Sequence, residues 1–482
     1  MAKKRASPLD IYKLLDKSNC QDCGRQTCME FGTDLLERKV KPSDCTHLQR
    51  PEQRKNLQKL IELIKPPQLT VEFGVGERMC TIGGEEVIYR HSLTFYNPMA
   101  LAITIDDNAD DLIDIAKYLE GIVISRLGDD LTLDAIALKC VSNDAETFKS
   151  AAKQIVENTK MPVILCCFNP DILMAAAAEI KSFKPLLYAA TKESWEKIGS
   201  FVFDEDLPVV CFSTDINELI SLSASLQKIG IKEIVLDAGT FLDSSVSKTF
   251  DAIVQLRLAG IEKGDVNAGW PIMGVPAALW KDITVEKEED LWKFQYKEMI
   301  MSCVMASIDT SLVVLHTGKR KEDIWALLAI MTFRQNVFSD PRIYPAVDPG
   351  LETIGEPKDD SPVFVTTNYR MSVYPVREDI KAGNINAYLL CVDTGGIGVE
   401  SAVAGGQFSS SAIAEAIEKF NPFEKVNHRI VVIPGMAARL SGAAEDEADC
   451  VVIVGPRDSS GISDFMKTRW NPEKDMEEYR ER

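Results

Sequence analysis

The sequence predicts a multidomain α/β protein: a small cysteine-rich segment, a (β/α)8 TIM barrel and a C-terminal α/β domain. Three observations carry that expectation. Four cysteines crowd into residues 20–45. Eight short apolar runs alternate with amphipathic stretches between residues 99 and 317. Four more apolar runs after residue 361 each end in a loop of small and hydroxylated residues. A chain of 482 residues exceeds what one hydrophobic core holds, and the expected domains are 1–60, 61–340 and 341–482.

Composition narrows the function classes. Apolar residues make up 45% and charged residues 26%, as in ordinary globular proteins. The net charge of −19 argues against nucleic acid or an anionic membrane surface as the main partner. No apolar run approaches the ~18 residues of a membrane helix. The basic start Met-Ala-Lys-Lys-Arg is not followed by the apolar stretch of a secretory signal. A cytoplasmic protein is expected, and in that reducing compartment clustered cysteines point to metal rather than disulfides.

Cys20-x2-Cys23-x4-Cys28-x16-Cys45 supplies the full thiolate set of a cubane iron–sulfur cluster. Gly24 lets the backbone turn between ligands, and a helix-like stretch at 29–39 returns the chain to Cys45. Zinc is the alternative, although zinc sites usually show two separated Cys-x2–4-Cys pairs and Cys45 stands alone. The other eight cysteines lie in or beside apolar runs and read as core filling. Lys65-Pro66-Pro67 forms a linker, and 70–92, with Gly74, Gly76, Gly83 and Gly84, reads as strands and turns.

The eight barrel runs are 99–106, 134–141, 162–168, 185–191, 208–213, 233–239, 269–276 and 311–317. Helical periodicity at 110–119, 145–158 and 216–229 separates them, the alternation of a parallel barrel. An open doubly wound sheet is the other topology that such alternation allows. After a helical stretch at 324–336, the Pro- and Gly-rich residues 340–361 read as a linker.

The last strands are expected at 362–368, 386–394, 429–434 and 450–455, with a helix at 410–420. Ligands of open α/β sheets sit at the carboxyl ends of strands, so the loops there are the candidate site. They are Val365-Thr366-Thr367-Asn368, the loop 393–399, the loop 433–438 and the loop 455–461. Their glycines allow close backbone approach to a nucleotide-like or tetrapyrrole cofactor. No P-loop occurs, and no G-x-G-x-x-G follows the first strand, which disfavours nucleotide hydrolysis and dinucleotide binding. None of the four histidines, His47, His91, His316 and His428, lies in an Asp-x-His-x-x-Gly context that would suit a cobalt ligand. His316 ends the eighth barrel run, where barrel sites form, but a hydrogen-bonded histidine at a strand end is the commoner case.

These motifs together closely resemble the large (gamma) subunit of the corrinoid iron–sulfur protein of the acetyl-CoA synthase/decarbonylase system. The likeness spans nearly the whole chain. It includes Ser7-Pro8-Leu9-Asp10-Ile11-Tyr12-Lys13, Gly74-Val75-Gly76-Glu77-Arg78, Tyr89-Arg90-His91, the run 185–190, Val235-Leu236-Asp237 and all four C-terminal loops. The Gly-Val-Gly-Glu-Arg segment looks closer to the archaeal-type complex than to the bacterial one.

The resemblance implies a methyltransferase component without catalytic side chains of its own. A methyl group from a methyl-tetrahydropterin would pass to Co(I) of a base-off, cobalamin-type corrinoid and on to acetyl-CoA synthase, with the [4Fe–4S] cluster reductively activating the cobalt. It implies a barrel paired with the small (delta) subunit as a heterodimer. Carried over by motif, the metal ligands are Cys20, Cys23, Cys28 and Cys45, and the corrinoid contacts are Thr366, Ser372, Gly396, Ile397, Gly398, Val399 and Ser459. The family's Thr-Thr-Asn-Phe-x-Leu-Thr stretch is here Thr366-Thr367-Asn368-Tyr369-Arg370-Met371-Ser372, which keeps the hydroxyl but adds a charge at Arg370. A corrinoid-free pterin methyltransferase and an iron–sulfur electron carrier are the competing functions.

Overall fold

In the computed structural model, residues 6–89, 95–241, 245–281, 291–339 and 345–480 are described, the last three as backbone only. His91 therefore lies outside the described residues. The chain forms two units, one of residues 1–124 and 131–340, the other of 341–482 with 125–130.

The cysteine-rich segment wraps helices Pro8–Tyr12, Cys28–Leu36 and Arg54–Ile64 around a core of Ile11, Leu15, Phe31, Leu35, Leu48 and Leu60. Ser7 and Asp10 cap the first helix reciprocally, Asp10 N donating to Ser7 Oγ at 3.3 Å and Ser7 N to Asp10 Oδ2 at 3.2 Å. Arg38 ties the segment to the next hairpin, β1 (Thr70–Phe73) and β2 (Cys80–Gly83), by donating to the Gly84 carbonyl at 2.6 Å. The Arg38 guanidinium also lies 3.7 Å over the Tyr96 ring.

The barrel expectation holds. Its strands are β3 (Ala100–Asp106), β6 (Ala135–Lys139), β7 (Val163–Cys166), β8 (Leu186–Ala190), β9 (Val209–Phe212), β10 (Ile234–Asp237), β11 (Met273–Gly274) and β12 (Leu312–Leu315), with the short hairpin β4 (Val123–Arg126) and β5 (Asp129–Thr132) preceding β6. All eight barrel strands pair in parallel in the order β10-β9-β8-β7-β6-β3-β12-β11. A single parallel bridge, Leu236 to Ile272, links the two ends. The strands are apolar up to their carboxyl ends, where Asp106, Lys139 and Asp237 stand, because both of their faces are covered.

Two details differ from expectation. The run 269–276 contributes only two strand residues, since Pro271 and Pro276 remove ladder donors on either side. The β4–β5 hairpin was not expected, because its exposed strands alternate without an apolar run. Its turn, Leu127-Gly128, has φ of 53° and 85°, suiting a tight hairpin.

The second unit is a five-stranded sheet in the order β13-β15-β14-β16-β17. Its strands are β13 (Gly350–Ile354), β14 (Val363–Thr367), β15 (Ala387–Val392), β16 (Ile430–Ile433) and β17 (Val451–Val454). β13 lies antiparallel on the edge and the other four are parallel. The four parallel strands and the helix Ser410–Phe420 fall where the sequence placed them. The stretch 340–361 is not all linker: β13 sits within it, Ile354 in one core and Leu351 packed against the other. Edge strands tolerate neighbouring prolines, which is why composition concealed it. Alternate strand residues feed two cores: Val363, Val365 and Leu390 pack under 399–420 and 441–448, while Phe364, Leu389 and Val432 pack with helix Arg370–Ala382.

Candidate functional site

All four cysteines of the N-terminal motif line one pocket, with Phe31 and His47 beside them. The loop before the first helix turn is wound with positive φ at Lys17 (64°), Asn19 (48°), Gln21 (66°) and Gly24 (76°). Such windings turn backbone N–H groups into a concavity that suits anionic sulfur. Cys28 opens its helix, with Thr27 Oγ1 accepting from Glu30 N at 3.1 Å and Asn19 Oδ1 accepting from Cys28 N at 2.8 Å. Burial pushes the Cys45 thiol up, while the backbone N–H groups of Leu48 and His47 favour its charged form.

Among the described residues, the three-ligand group drawn within 4.8 Å is Cys20, Asp22 and His47, not a set of cysteines. A single zinc ion would hold four thiolates at about 3.8 Å from one another. Among the described residues no three of these sulfurs all lie within 4.8 Å of one another.

The second site lies at the carboxyl end of the C-terminal sheet. From β14 the chain goes first to β15 on one side and then to β16 on the other, the strand-order reversal at which open α/β sheets form a crevice. β14 and β16 pair only at Phe364 and Val432, whereas β14 stays paired with β15 through Thr367. The sheet splays beyond that bridge and leaves a cleft of about 420 Å³.

Thr366, Ser372, Gly398, Val399 and Ser459 line this cleft. Gly396 and Ile397, expected with them, do not. They shape the loop instead: Gly396 N donates to Asn368 Oδ1 at 3.0 Å and the Ile397 carbonyl accepts from Thr394 Oγ1 at 2.9 Å. Asn368 Oδ1 also accepts from Thr394 N at 2.9 Å, which pins 394–396 to the end of β14. Gly395 and Gly396 have φ of 65° and 75°, backbone that side chains resist.

Met371, Met436 and Pro375 supply apolar wall, and Glu400 an acid, none of them expected from the sequence. Pro375 lacks the N–H that would bind the Met371 carbonyl within the helix, leaving that oxygen free of its helical donor. Arg370 does not line the cleft; it pairs with Asp129 at 3.2 Å. Among the described residues no histidine lines it either. His428 is buried, its Nε2 3.0 Å from the Ser361 carbonyl and its Nδ1 accepting from Ile430 N at 3.2 Å.

A four-thiol pocket, a parallel eight-stranded barrel and an open sheet with a switch-point cleft define an α/β protein with a candidate metal pocket and a separate crevice. The family described as "Putative Fe-S cluster" matches residues 15–47, and "CO dehydrogenase/acetyl-CoA synthase delta subunit" matches 70–466. The acetyl-CoA decarbonylase/synthase complex subunit gamma of Methanocaldococcus jannaschii is 36% identical over 486 residues, covering 99% of both chains. That of Archaeoglobus fulgidus is 37% identical over 478 residues, covering 97% of this chain and 99% of its own. Dihydropteroate synthase from Thermus thermophilus superposes with a TM-score of 0.39 at 10% identity, covering 56% of this chain and 99% of that one. The chain belongs to the acetyl-CoA decarbonylase/synthase complex subunit gamma family. No described helix is long and apolar enough to cross a membrane.

Proposed function

We propose that this chain is the large subunit of a corrinoid iron–sulfur protein and carries methyl groups in acetyl-CoA synthesis or cleavage. The observation that carries the reading is the switch-point cleft, with its hydroxyls, close-approach glycines and methionine wall, in a family member whose cluster motif occupies a different fold unit. In three parts, 1–60 holds the cluster, 61–340 forms the barrel and 341–482 holds the corrinoid.

Thr366, Ser372 and Ser459 would hold the amide-rich edge of the corrinoid, and Met371 and Met436 would pack on its faces. Cys20, Cys23, Cys28 and Cys45 would hold a [4Fe–4S] cluster. When bound, the corrinoid supplies a cobalt that accepts and releases a methyl group, and the cluster supplies the electron that restores it. In this reading the chemistry lies on the corrinoid and its cobalt would be base-off; among the described residues no histidine lines the cleft.

The partners are the small (delta) subunit, acetyl-CoA synthase and a methyl-tetrahydropterin or its methyltransferase, in the cytoplasm. A pterin methyltransferase without corrinoid, or a plain electron carrier, would leave the cleft without a ligand. A visible spectrum of the anaerobically purified chain tests this. Corrin bands together with iron–sulfur absorbance are expected, and iron–sulfur absorbance alone would overturn the corrinoid assignment.

A further inference from the structure

The loop after β12 reads His316-Thr317-Gly318-Lys319-Arg320, and a buried carboxylate fixes it in place. Glu298, fully buried on helix Leu291–Ser307, accepts from His316 N at 2.6 Å, Thr317 N at 3.0 Å, the Thr317 hydroxyl and Trp280 Nε1 at 3.0 Å. Trp280 stacks on the His316 ring, centroids 4.5 Å apart and planes 23° apart. Gly318, at φ 108°, turns the chain so that Lys319 Nζ comes back to His316 Nδ1 at 3.2 Å.

Burial, with Lys319 beside it, pushes His316 down to about 3, so the ring is neutral. With Nδ1 accepting from Lys319, the ring proton sits on Nε2, a second donor. Lys319 is mostly buried, and among the described residues its hydrogen-bond partner is this neutral ring rather than a carboxylate. A buried ammonium without a bonded anion is costly.

Beside it opens a cavity of about 310 Å³ at the carboxyl ends of β3 and β12, also walled by Ile105, Ile115, Leu291 and Trp280. That volume holds about ten waters or one small organic molecule. Its carboxylates are Asp106, which lies 3.9 Å from Lys139 Nζ and also acts on Lys319 as buried Glu298 does, Asp323, which accepts from Gln295 at 2.6 Å, and Asp111, exposed at the rim. Arg320 adds a cation at the same rim.

We propose that this barrel cavity binds a small ligand through its oxyanion, a carboxylate or a phosphate ester, with Lys319 as counter-ion and the Trp280 side as apolar wall. The site is separate from the cysteine pocket and the C-terminal cleft and does not depend on either cofactor assignment. Isothermal titration of the full chain with inorganic phosphate and, separately, with acetate at fixed ionic strength tests it. Saturable 1:1 binding of at least one is expected; phosphate alone marks a phosphate ester and acetate alone a carboxylate. Lys319→Met should weaken binding ~10-fold or more, the scale of a charge-assisted hydrogen bond. Arg320→Gln, a rim change that leaves the core intact, should weaken it a few-fold, and it keeps the test decisive if Lys319→Met does not fold. No binding of either anion up to ~50 mM, or binding that both variants leave unchanged, would overturn the site.

Discussion

The cysteine pocket takes all four of its sulfurs from residues 20–45, whereas the C-terminal cleft takes its wall from residues 364–462. The first is a wound loop stabilised by its own backbone and one helix start. The second exists because β14 and β16 part company beyond one bridge. A local site is lost when one ligand goes, while a site made by strand order survives single wall changes and fails when a loop anchor goes. The two regions should therefore respond differently to substitution.

The largest effect is expected from Cys23→Ala. It should abolish the iron–sulfur absorbance of the chain while the cleft keeps its ligand in full, read by visible spectroscopy and metal analysis. Loss of both together would break the contrast between a local and a distributed site.

Asn368→Ala should have an intermediate effect. It strips the acceptor from Thr394 N and Gly396 N inside the second unit. Leaving buried donors unpaired costs about 2–4 kcal/mol. Urea unfolding should register that loss together with weaker ligand retention, and the cluster should be untouched. An unchanged midpoint would show that the loop is held by something other than Asn368.

The smallest effect separates the units by pH. Glu85, buried in the first unit, accepts from Tyr96 N and Asn97 N at 2.9 Å, and burial followed by the nearby Asp309 raises it from 4.5 to about 8. Its folded-state value exceeds its unfolded one, so its contribution is complete below about pH 4.5 and is lost as pH rises through about 8. His428, in the second unit, is lowered from 6.5 by burial, so its contribution is present above 6.5 and is lost as pH falls. Calorimetry from pH 6 to 8.5 should show a first-unit transition that weakens with pH, and Glu85→Gln should flatten that slope. A slope that persists in Glu85→Gln would assign it to another group.

Much of the fold is legible in the sequence. The eight barrel runs and four C-terminal strands could be read because strands buried on both faces are unbroken apolar segments. β13 and the β4–β5 hairpin could not, since edge and exposed strands carry no such run. In the cleft, the loops were readable but the inward residues were only partly so. Thr366 and Ser459 reach the wall, Gly396 and Ile397 turn into loop scaffold, and Met371, Met436 and Glu400 were passed over. Loop composition says which segments gather at a strand end, not which side chains face inward.

By itself the sequence determined which four cysteines gather in one pocket, the order of most helices and strands, and the chemistry of the terminal loops. Those properties rest on covalent spacing and on burial periodicity within about ten residues. Only the tertiary structure decided that β14 and β16 splay, that Asn368 anchors the 394–396 loop, and that Lys319 meets a neutral imidazole beside a cavity. Each of these depends on strand pairing, helix packing or backbone handedness between segments whose relation no local pattern encodes.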